Sequence, residues 1–187
     1  SEGMKGSIAK AEELVKEKGY YMPMQFDNPE NPNIHELTTG PEIISAMNGI
    51  GKSVDAFVAG VGTGGTLSGI GRALKKENPN TKVYALEPSE SPLLKDGKTG
   101  KHGIAAGFIP KNLDKDVYDG IVEVSTDEAM KTACEVAKNE GFLPGIFAGA
   151  NIHGAIELAK KLGKGHAAVT VSPDGGDRYL STALFNE

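Results

Sequence analysis

The residues best suited to chemistry lie in a glycine-rich segment at residues 60–66, which reads GVGTGGT. Glycines let a backbone take positive φ and approach a ligand closely. The helix expected to follow offers unpaired N–H groups and a partial positive charge at its first turn. Together these features predict an anion site, most often one for phosphate. A tight turn without a ligand is the simpler alternative, but four glycines in six residues exceed what a turn needs.

A dinucleotide site is a competing interpretation of the same segment. Gly60, Gly62 and Gly65 satisfy the pattern G-x-G-x-x-G. Glu87 ends the next predicted strand, 22 residues after the last of these glycines, where a ribose-binding acid would stand. A single match of this kind is weak evidence, and Pro88 directly follows the acid. No lysine follows the last glycine of the loop, which excludes a P-loop.

The elements that must position this loop follow from hydrophobic period and from glycine and proline punctuation. Strands are predicted at residues 20–25, 54–59, 81–87, 121–124 and 167–171, and helices at 4–18, 34–47, 67–77, 125–139, 149–162 and 178–184. Strands separated by helices predict βαβ units and a mostly parallel sheet. Ligands bind beyond the carboxyl ends of such strands. Residues 60–66, 145–150 and 173–176 are therefore predicted to line one edge of the sheet.

Composition limits the class of partner. The chain has 187 residues and a formal net charge of −5, which argues against nucleic acid or an anionic membrane surface as a partner. No apolar run approaches the roughly 20 residues that a membrane helix needs. The single cysteine, Cys134, rules out an internal disulfide and a cysteine-rich metal site, and it suits a reducing cytosol. No pair of histidines has metal-ligand spacing, so no metal is expected.

Five ordered motifs across the chain resemble the cysteine synthases (O-acetylserine sulfhydrylases), a family of pyridoxal-phosphate-dependent enzymes that catalyse β-replacement. The motifs are GMKGSIAKA at 3–11, NPNIHELTTGPEI at 31–43, GVGTGGTLSG at 60–69, GFIP at 107–110 and RYLSTALF at 178–185. The histidine of the second motif, His35, is expected to fix local structure. The resemblance makes the dinucleotide-binding oxidoreductase the weaker interpretation.

The resemblance implies a fold and a domain organisation. It implies an α/β fold of the tryptophan synthase β-subunit-like type, with three layers and a mostly parallel sheet, whose N-terminal part is missing from this chain. Residues 1–25 would end a small N-terminal domain, and residues 26–187 would form the large domain that binds pyridoxal 5′-phosphate.

The resemblance also implies site residues. The cofactor phosphate would be held by backbone N–H groups and hydroxyls of the loop, at Gly62, Thr63, Gly64, Gly65 and Thr66. Asp174 would face the pyridine nitrogen, where the family typically has serine; a cap on the final helix is the alternative role for this aspartate. A loop over the cofactor would include Gly103, Ala106 and Gly107.

Three departures from the family pattern matter for activity. The lysine that holds the cofactor covalently in this family has no counterpart in a matching motif, so the catalytic residues are unknown and the chain alone is expected to be inactive. Phe147 and Ala148 replace two hydroxyl-bearing residues, and the stretch 101–105 is shorter than usual.

For the parent protein, the resemblance implies conversion of O-acetylserine and sulfide to cysteine and acetate. It also implies a cytoplasmic homodimer that could bind the C-terminal tail of serine acetyltransferase. A non-catalytic remnant of the same fold, or a regulatory partner domain, is the other interpretation.

Overall fold

The structure, a computed structural model, describes residues 3–98 and 107–184. Its helices and strands, in chain order, are α1 (Gly3–Lys18), α2 (Glu30–Ile34), a π-helical turn (His35–Thr39), α3 (Gly40–Gly49), β1 (Ala56–Gly60), α4 (Gly65–Glu77), β2 (Lys82–Pro88), α5 (Leu93–Asp96), β3 (Gly120–Val124), α6 (Thr126–Glu140), α7 (Ile146–Leu162), β4 (Ala168–Thr170) and a 3-10 helix (Gly176–Tyr179). Two predictions are wrong. Residues 20–25 form no strand, and the final helix is only this short 3-10 helix.

The four strands form one parallel sheet in the order β3-β2-β1-β4. Strand β1 lies in the interior of the sheet, and Ala56, Phe57 and Val58 are fully buried. Its near-continuous apolar run, AFVAG, is typical of a parallel strand that is covered on both faces. The predicted parallel sheet is confirmed.

Helices cover both faces of the sheet, which confirms the three-layer arrangement. Side chains alternate along a strand, so neighbours in β1 enter different cores. Phe57 packs in the core that contains Leu67 and Ile70 of α4. Val58 packs in the opposite core with Ala129 of α6 and residues of α7.

Helix α6 begins at the predicted capping box. The Ser125 hydroxyl accepts a hydrogen bond from the Glu128 N–H at 3.2 Å, and the Glu128 carboxylate accepts one from the Ser125 N–H at 2.8 Å. Helix α7 approaches α6 closely at Gly149, where a Cβ atom would lie 2.2 Å from the carbonyl oxygen of Ala129. This packing fixes the position of the loop that precedes α7.

Helix α4 also packs closely against the helical segment formed by α2, the π-helical turn and α3. A Cβ atom at Gly69 would lie 2.1 Å from the carbonyl oxygen of Pro32, and one at Gly40 would lie 2.4 Å from the Cβ atom of Ala73. Only glycine allows these distances. The contact between Gly69 and Pro32 holds α2 next to the glycine-rich loop.

Helix α1 has no buried residue. A cavity of about 390 Å³ lies between α1, residues 22–27 and Phe108. None of the helices within the described ranges combines the length and the apolar character needed to cross a bilayer.

Candidate anion-binding site

A cavity of about 190 Å³ lies at the carboxyl ends of β1 and β2. It is lined by Gly60, Val61, Gly62, Thr63, Gly64, Thr66, Leu86, Pro88, Phe147, Ala150, Asn151 and Pro173. The three loops predicted to share one edge of the sheet therefore meet around one cavity. None of these lining residues carries a charged side chain.

The glycine-rich loop lines this cavity and has backbone donors without an acceptor in the described part of the chain. The N–H group of Val61 is used by the sheet, because it donates to the carbonyl of Leu86 at 3.0 Å. The next three N–H groups, those of Gly62, Thr63 and Gly64, donate to no acceptor within residues 3–98 and 107–184. Unpaired N–H groups directly before a helix are the donors that an anion needs.

Gly64 gives the loop its shape. This residue precedes the first residue of α4 and has φ of +80°, in the left-handed region. A Cβ atom here would also lie 2.8 Å from backbone atoms of Leu113. Both the torsion angle and the close approach require glycine.

The hydroxyl of Thr63 is contacted by Asn31, a residue of α2. The side-chain amide of Asn31 donates to Thr63 Oγ1 at 3.0 Å and to the carbonyl of Gln25 at 2.8 Å. The N–H group of Gly65 makes a longer contact with the same hydroxyl, at 3.4 Å.

The hydroxyl of Thr66 is contacted by His35. The imidazole Nε2 lies 3.2 Å from Thr66 Oγ1, and Nδ1 lies 2.9 Å from Thr39 Oγ1. Burial lowers the pKa of His35 and so favours the neutral imidazole. The expectation that His35 fixes local structure is confirmed. Its imidazole joins Thr39 of the π-helical turn to Thr66, the last residue of the glycine-rich loop.

The Asp174 carboxylate has three hydrogen-bond donors in the described part of the chain, and its expected place beside the pyridine nitrogen stays a prediction. Its carboxylate accepts hydrogen bonds from the N–H groups of Ala148 at 2.7 Å and Phe147 at 3.2 Å, in the first turn of α7. It also accepts the Tyr179 hydroxyl at 2.7 Å. Asp174 thus caps α7 rather than the final helix, and its neighbour Pro173, not Asp174, lines the cavity. Burial, and then the hydrogen bond to Asp174, raise the pKa of the Tyr179 hydroxyl.

Asn151 was not among the residues predicted from the sequence. It is 3% exposed, accepts a hydrogen bond from the N–H group of Gly60 at 2.8 Å and donates to the carbonyl of Val171 at 2.9 Å. Asn151 therefore joins the end of β1 to the chain that leaves β4. Its only signal in the sequence is a polar side chain among small and apolar residues.

The predicted loop over the cofactor is described only in part. Gly103 and Ala106 lie outside the described residues. Gly107 has φ of +77° and does not line the cavity. The next residue, Phe108, makes an edge contact with Phe26 at a centroid distance of 4.9 Å.

Glu87 does not have the geometry of a ribose-binding acid. Glu87 is 2% exposed, and its carboxylate accepts hydrogen bonds from the N–H groups of Leu94 at 2.6 Å and Lys95 at 3.0 Å. Both carboxylate oxygens of Glu87 are used by N–H groups of α5. The dinucleotide interpretation of Glu87 is therefore wrong. Within the part of the chain that the structure describes, no group of three or more His, Cys, Asp or Glu residues could hold a metal ion.

Comparison with known proteins agrees with this geometry. The family model for pyridoxal-phosphate dependent enzymes matches residues 1–174. A cysteine synthase of Staphylococcus aureus is 55% identical over 189 residues, an alignment that covers 100% of this chain and 60% of that protein. The chain therefore spans about 60% of the length of this curated relative.

Solved structures of similar proteins have the same fold. A hydrogen sulfide-producing enzyme of Fusobacterium nucleatum matches with a TM-score of 0.91 and 43% identity, over 97% of this chain and 56% of that one. A cysteine synthase of Entamoeba histolytica matches with a TM-score of 0.90 and 35% identity, over 100% of this chain and 56% of that one.

Proposed function

The chain belongs to the family of pyridoxal-phosphate dependent enzymes, and on that premise we propose that its cavity binds the 5′-phosphate of pyridoxal phosphate. One observation carries this proposal: three successive N–H groups, at Gly62, Thr63 and Gly64, have no acceptor in the described protein and lie directly before helix α4. Thr63 and Thr66, which carry hydroxyls, also line the cavity. Charge-assisted hydrogen bonds from such donors suit a phosphate dianion.

The size of the cavity supports a role at one end of the cofactor. Its 190 Å³ is below the roughly 300–1,000 Å³ of sites that enclose a whole drug-sized ligand. We therefore assign the phosphate end to these residues and the remaining walls to other parts of a complete enzyme. In that enzyme, residues 1–25 would belong to a small N-terminal domain and residues 26–187 to the large cofactor-binding domain.

The parent activity that we propose is cysteine synthase, which converts O-acetylserine and sulfide to cysteine and acetate. The 55% identity to the Staphylococcus aureus cysteine synthase supports this choice. When bound, pyridoxal phosphate supplies an electron sink for negative charge that develops on the amino-acid substrate. The loop residues of this chain would hold the phosphate, and the apolar residues Leu86, Pro88 and Phe147 line the same cavity.

We assign Asp174 to positioning. Its carboxylate joins the first turn of α7 to Tyr179, and its backbone carbonyl accepts the N–H group of Gly145 at 2.9 Å. These contacts hold residues 145–150 against residues 173–176, two of the three loops around the cavity.

We propose that this chain alone does not turn over substrate. No lysine is among the residues that line the cavity, and covalent attachment of the cofactor needs a lysine amine against its aldehyde. Borohydride reduction of the chain mixed with pyridoxal phosphate should give no stoichiometric adduct on one lysine. Such an adduct, together with turnover of O-acetylserine and sulfide, would contradict this assignment.

The assembly and location of the parent enzyme are further parts of the proposal. By analogy with the family, the parent would be a cytoplasmic homodimer, and the C-terminal tail of serine acetyltransferase would be a candidate partner. Sedimentation of the parent enzyme, with and without a peptide of that tail, tests both points. A monomer that does not bind the peptide would contradict them.

The phosphate site itself can be tested with a pair of glycine variants. A Cβ atom at Gly62 meets no atom within 4 Å, and its φ is not in the left-handed region, so Gly62→Val should fold normally. The same holds for Gly49 at the end of α3, which makes Gly49→Val a matched control.

The expected result is a selective loss of affinity. The valine side chain at position 62 would occupy space beside the donors, and losing even one charge-assisted hydrogen bond weakens binding by about tenfold or more. Fluorescence titration with pyridoxal phosphate should show this loss for Gly62→Val and not for Gly49→Val. Equal affinities of both variants and the unaltered chain would place the phosphate elsewhere.

A further inference from the structure

We propose that Asn31 is a positioning residue that makes the Thr63 hydroxyl a hydrogen-bond donor toward the cavity. This inference rests on the proposed function and extends it, because it identifies what sets the direction of a hydroxyl at the phosphate site. Asn31 itself does not line the cavity.

The orientation of the Asn31 amide is fixed by the carbonyl of Gln25. A carbonyl oxygen can only accept, so the atom 2.8 Å from it must be the NH₂ group of the amide. The second hydrogen of the same NH₂ group is directed at Thr63 Oγ1, at 3.0 Å. An amide nitrogen has no lone pair to offer in return, and so the Thr63 hydroxyl must accept this bond.

Because Thr63 Oγ1 accepts the hydrogen bond from Asn31, the hydroxyl proton of Thr63 must point elsewhere. A hydroxyl has one donor and two acceptor positions. The contacts from Asn31 and from the N–H group of Gly65 use the acceptor positions. No acceptor for the Thr63 proton is found within residues 3–98 and 107–184, and the residue lines the cavity. The proton is therefore available to a ligand that accepts, which a phosphate oxygen does.

Asn31 is held firmly in this position. A Cβ atom at Gly65 would lie 1.9 Å from Asn31 Oδ1, so the amide packs directly against the first residue of α4. The carbonyl of Gln25 also accepts a hydrogen bond from the side-chain amide of Asn112 at 2.8 Å. Asn31 therefore cannot rotate away from Thr63 without disturbing two neighbouring segments.

The test replaces the donor by an acceptor. In Asn31→Asp the carboxylate can only accept, so the Thr63 hydroxyl would turn its proton away from the cavity to meet it. Asn33→Asp is the matched control: it makes the same charge change in the same helix, where the Asn33 amide donates to Glu30 at 2.9 Å. Asn31→Ala is a second, uncharged variant that leaves the hydroxyl free to rotate.

Affinities for inorganic phosphate and for pyridoxal phosphate are measured by calorimetry, and unfolding of each variant is followed by circular dichroism. We expect binding to weaken about ten- to a hundredfold in Asn31→Asp, less in Asn31→Ala and least in Asn33→Asp. The Asn31→Ala effect should persist when Thr63 is replaced by serine, which keeps the hydroxyl. It should nearly vanish in Thr63→Val, which removes the hydroxyl. A merely structural role for Asn31 would give the same loss in both backgrounds.

Two outcomes contradict the inference in distinguishable ways. If the unaltered chain binds phosphate and the Asn31→Ala effect is the same with serine and with valine at position 63, Asn31 does not act through Thr63. The proposed function would then stand. If the unaltered chain binds neither phosphate nor pyridoxal phosphate, the proposed function fails and this inference fails with it.

Discussion

The close approach of α4 to α2 predicts that one added methyl group, in Gly69→Ala, both destabilises the fold and weakens the anion site. The new Cβ atom would lie 2.1 Å from the carbonyl oxygen of Pro32, 2.7 Å from the Cβ atom of His35 and 2.8 Å from the backbone nitrogen of Glu36. Two of these three atoms belong to backbone, so a side-chain rotation cannot relieve the overlap. The two helices must move apart.

The size of the effect follows from two opposing terms. Forcing an extra carbon into a well-packed contact costs about 1–3 kcal/mol. Replacing glycine by alanine inside a helix gains about 0.5–1 kcal/mol. The net destabilisation should be about 1–2 kcal/mol, which corresponds to a fall in Tm of roughly 2–8 °C for a chain of this length.

The assay is thermal and urea unfolding, with Gly49→Ala as the control. A Cβ atom at Gly49 meets nothing within 4 Å, so this variant should be as stable as the unaltered chain or slightly more so. Since α2 carries Asn31 and is continuous with the turn that carries His35, Gly69→Ala should also weaken phosphate binding. Unchanged Tm and unchanged phosphate affinity in Gly69→Ala would refute the close packing of these helices and its role in the site.

Four smaller predictions concern single polar groups. Asp174→Ala should lower the free energy of unfolding by about 1 kcal/mol, as loss of a helix cap does, and an unchanged urea midpoint would exclude the capping role. The raised pKa of Tyr179 means that folding keeps its hydroxyl protonated, so stability should be lost as the pH rises above about 10; Tyr179→Phe should flatten this alkaline loss in urea titrations. The lowered pKa of His35 means that the unfolded chain binds its proton more readily, so stability should fall as the pH drops below about 6.5. His35→Gln should reduce the difference between urea midpoints at pH 7 and pH 5, and an identical difference would contradict the burial of a neutral imidazole. A hydrogen bond from the N–H group of Ala167 at 2.7 Å, and then the His166 side chain, lower the pKa of Asp55, so the stability it contributes should be lost as the pH falls below about 4. Asp55→Asn should therefore show a weaker pH dependence between pH 5 and pH 3 than the unaltered chain.

The parts of the fold that the sequence predicted correctly depend on local signals. The capping box of Ser125 and Glu128 places the start of α6 from four residues alone. The buried run at β1 and the glycines after it place the loop at the end of an inner strand. The apolar run at residues 20–25 lacked any such second signal. Tyr21 is 85% exposed there, so the strand predicted from apolar character alone does not form.

The parts that the sequence could not give depend on contacts between distant segments. Asp174 is 26 residues from Ala148, and Asn31 is 32 residues from Thr63. Nothing in the local pattern around Asp174 shows that its carboxylate meets the start of α7. In the sequence, Glu87 stands at the spacing from the glycines that a ribose-binding acid would have. Only the structure shows that its carboxylate oxygens accept hydrogen bonds from α5 instead.

The central claim, that the loop at residues 62–64 holds a phosphate through its backbone, is tested most directly by NMR titration of the ¹⁵N-labelled chain. Inorganic phosphate and pyridoxal phosphate would be added in turn, with chloride at matched ionic strength as the control. We expect both phosphates to produce their largest amide shifts at Gly62, Thr63 and Gly64, with smaller shifts at α1 and at Gly49. Shifts that are absent from the loop, or that chloride reproduces, would contradict the claim.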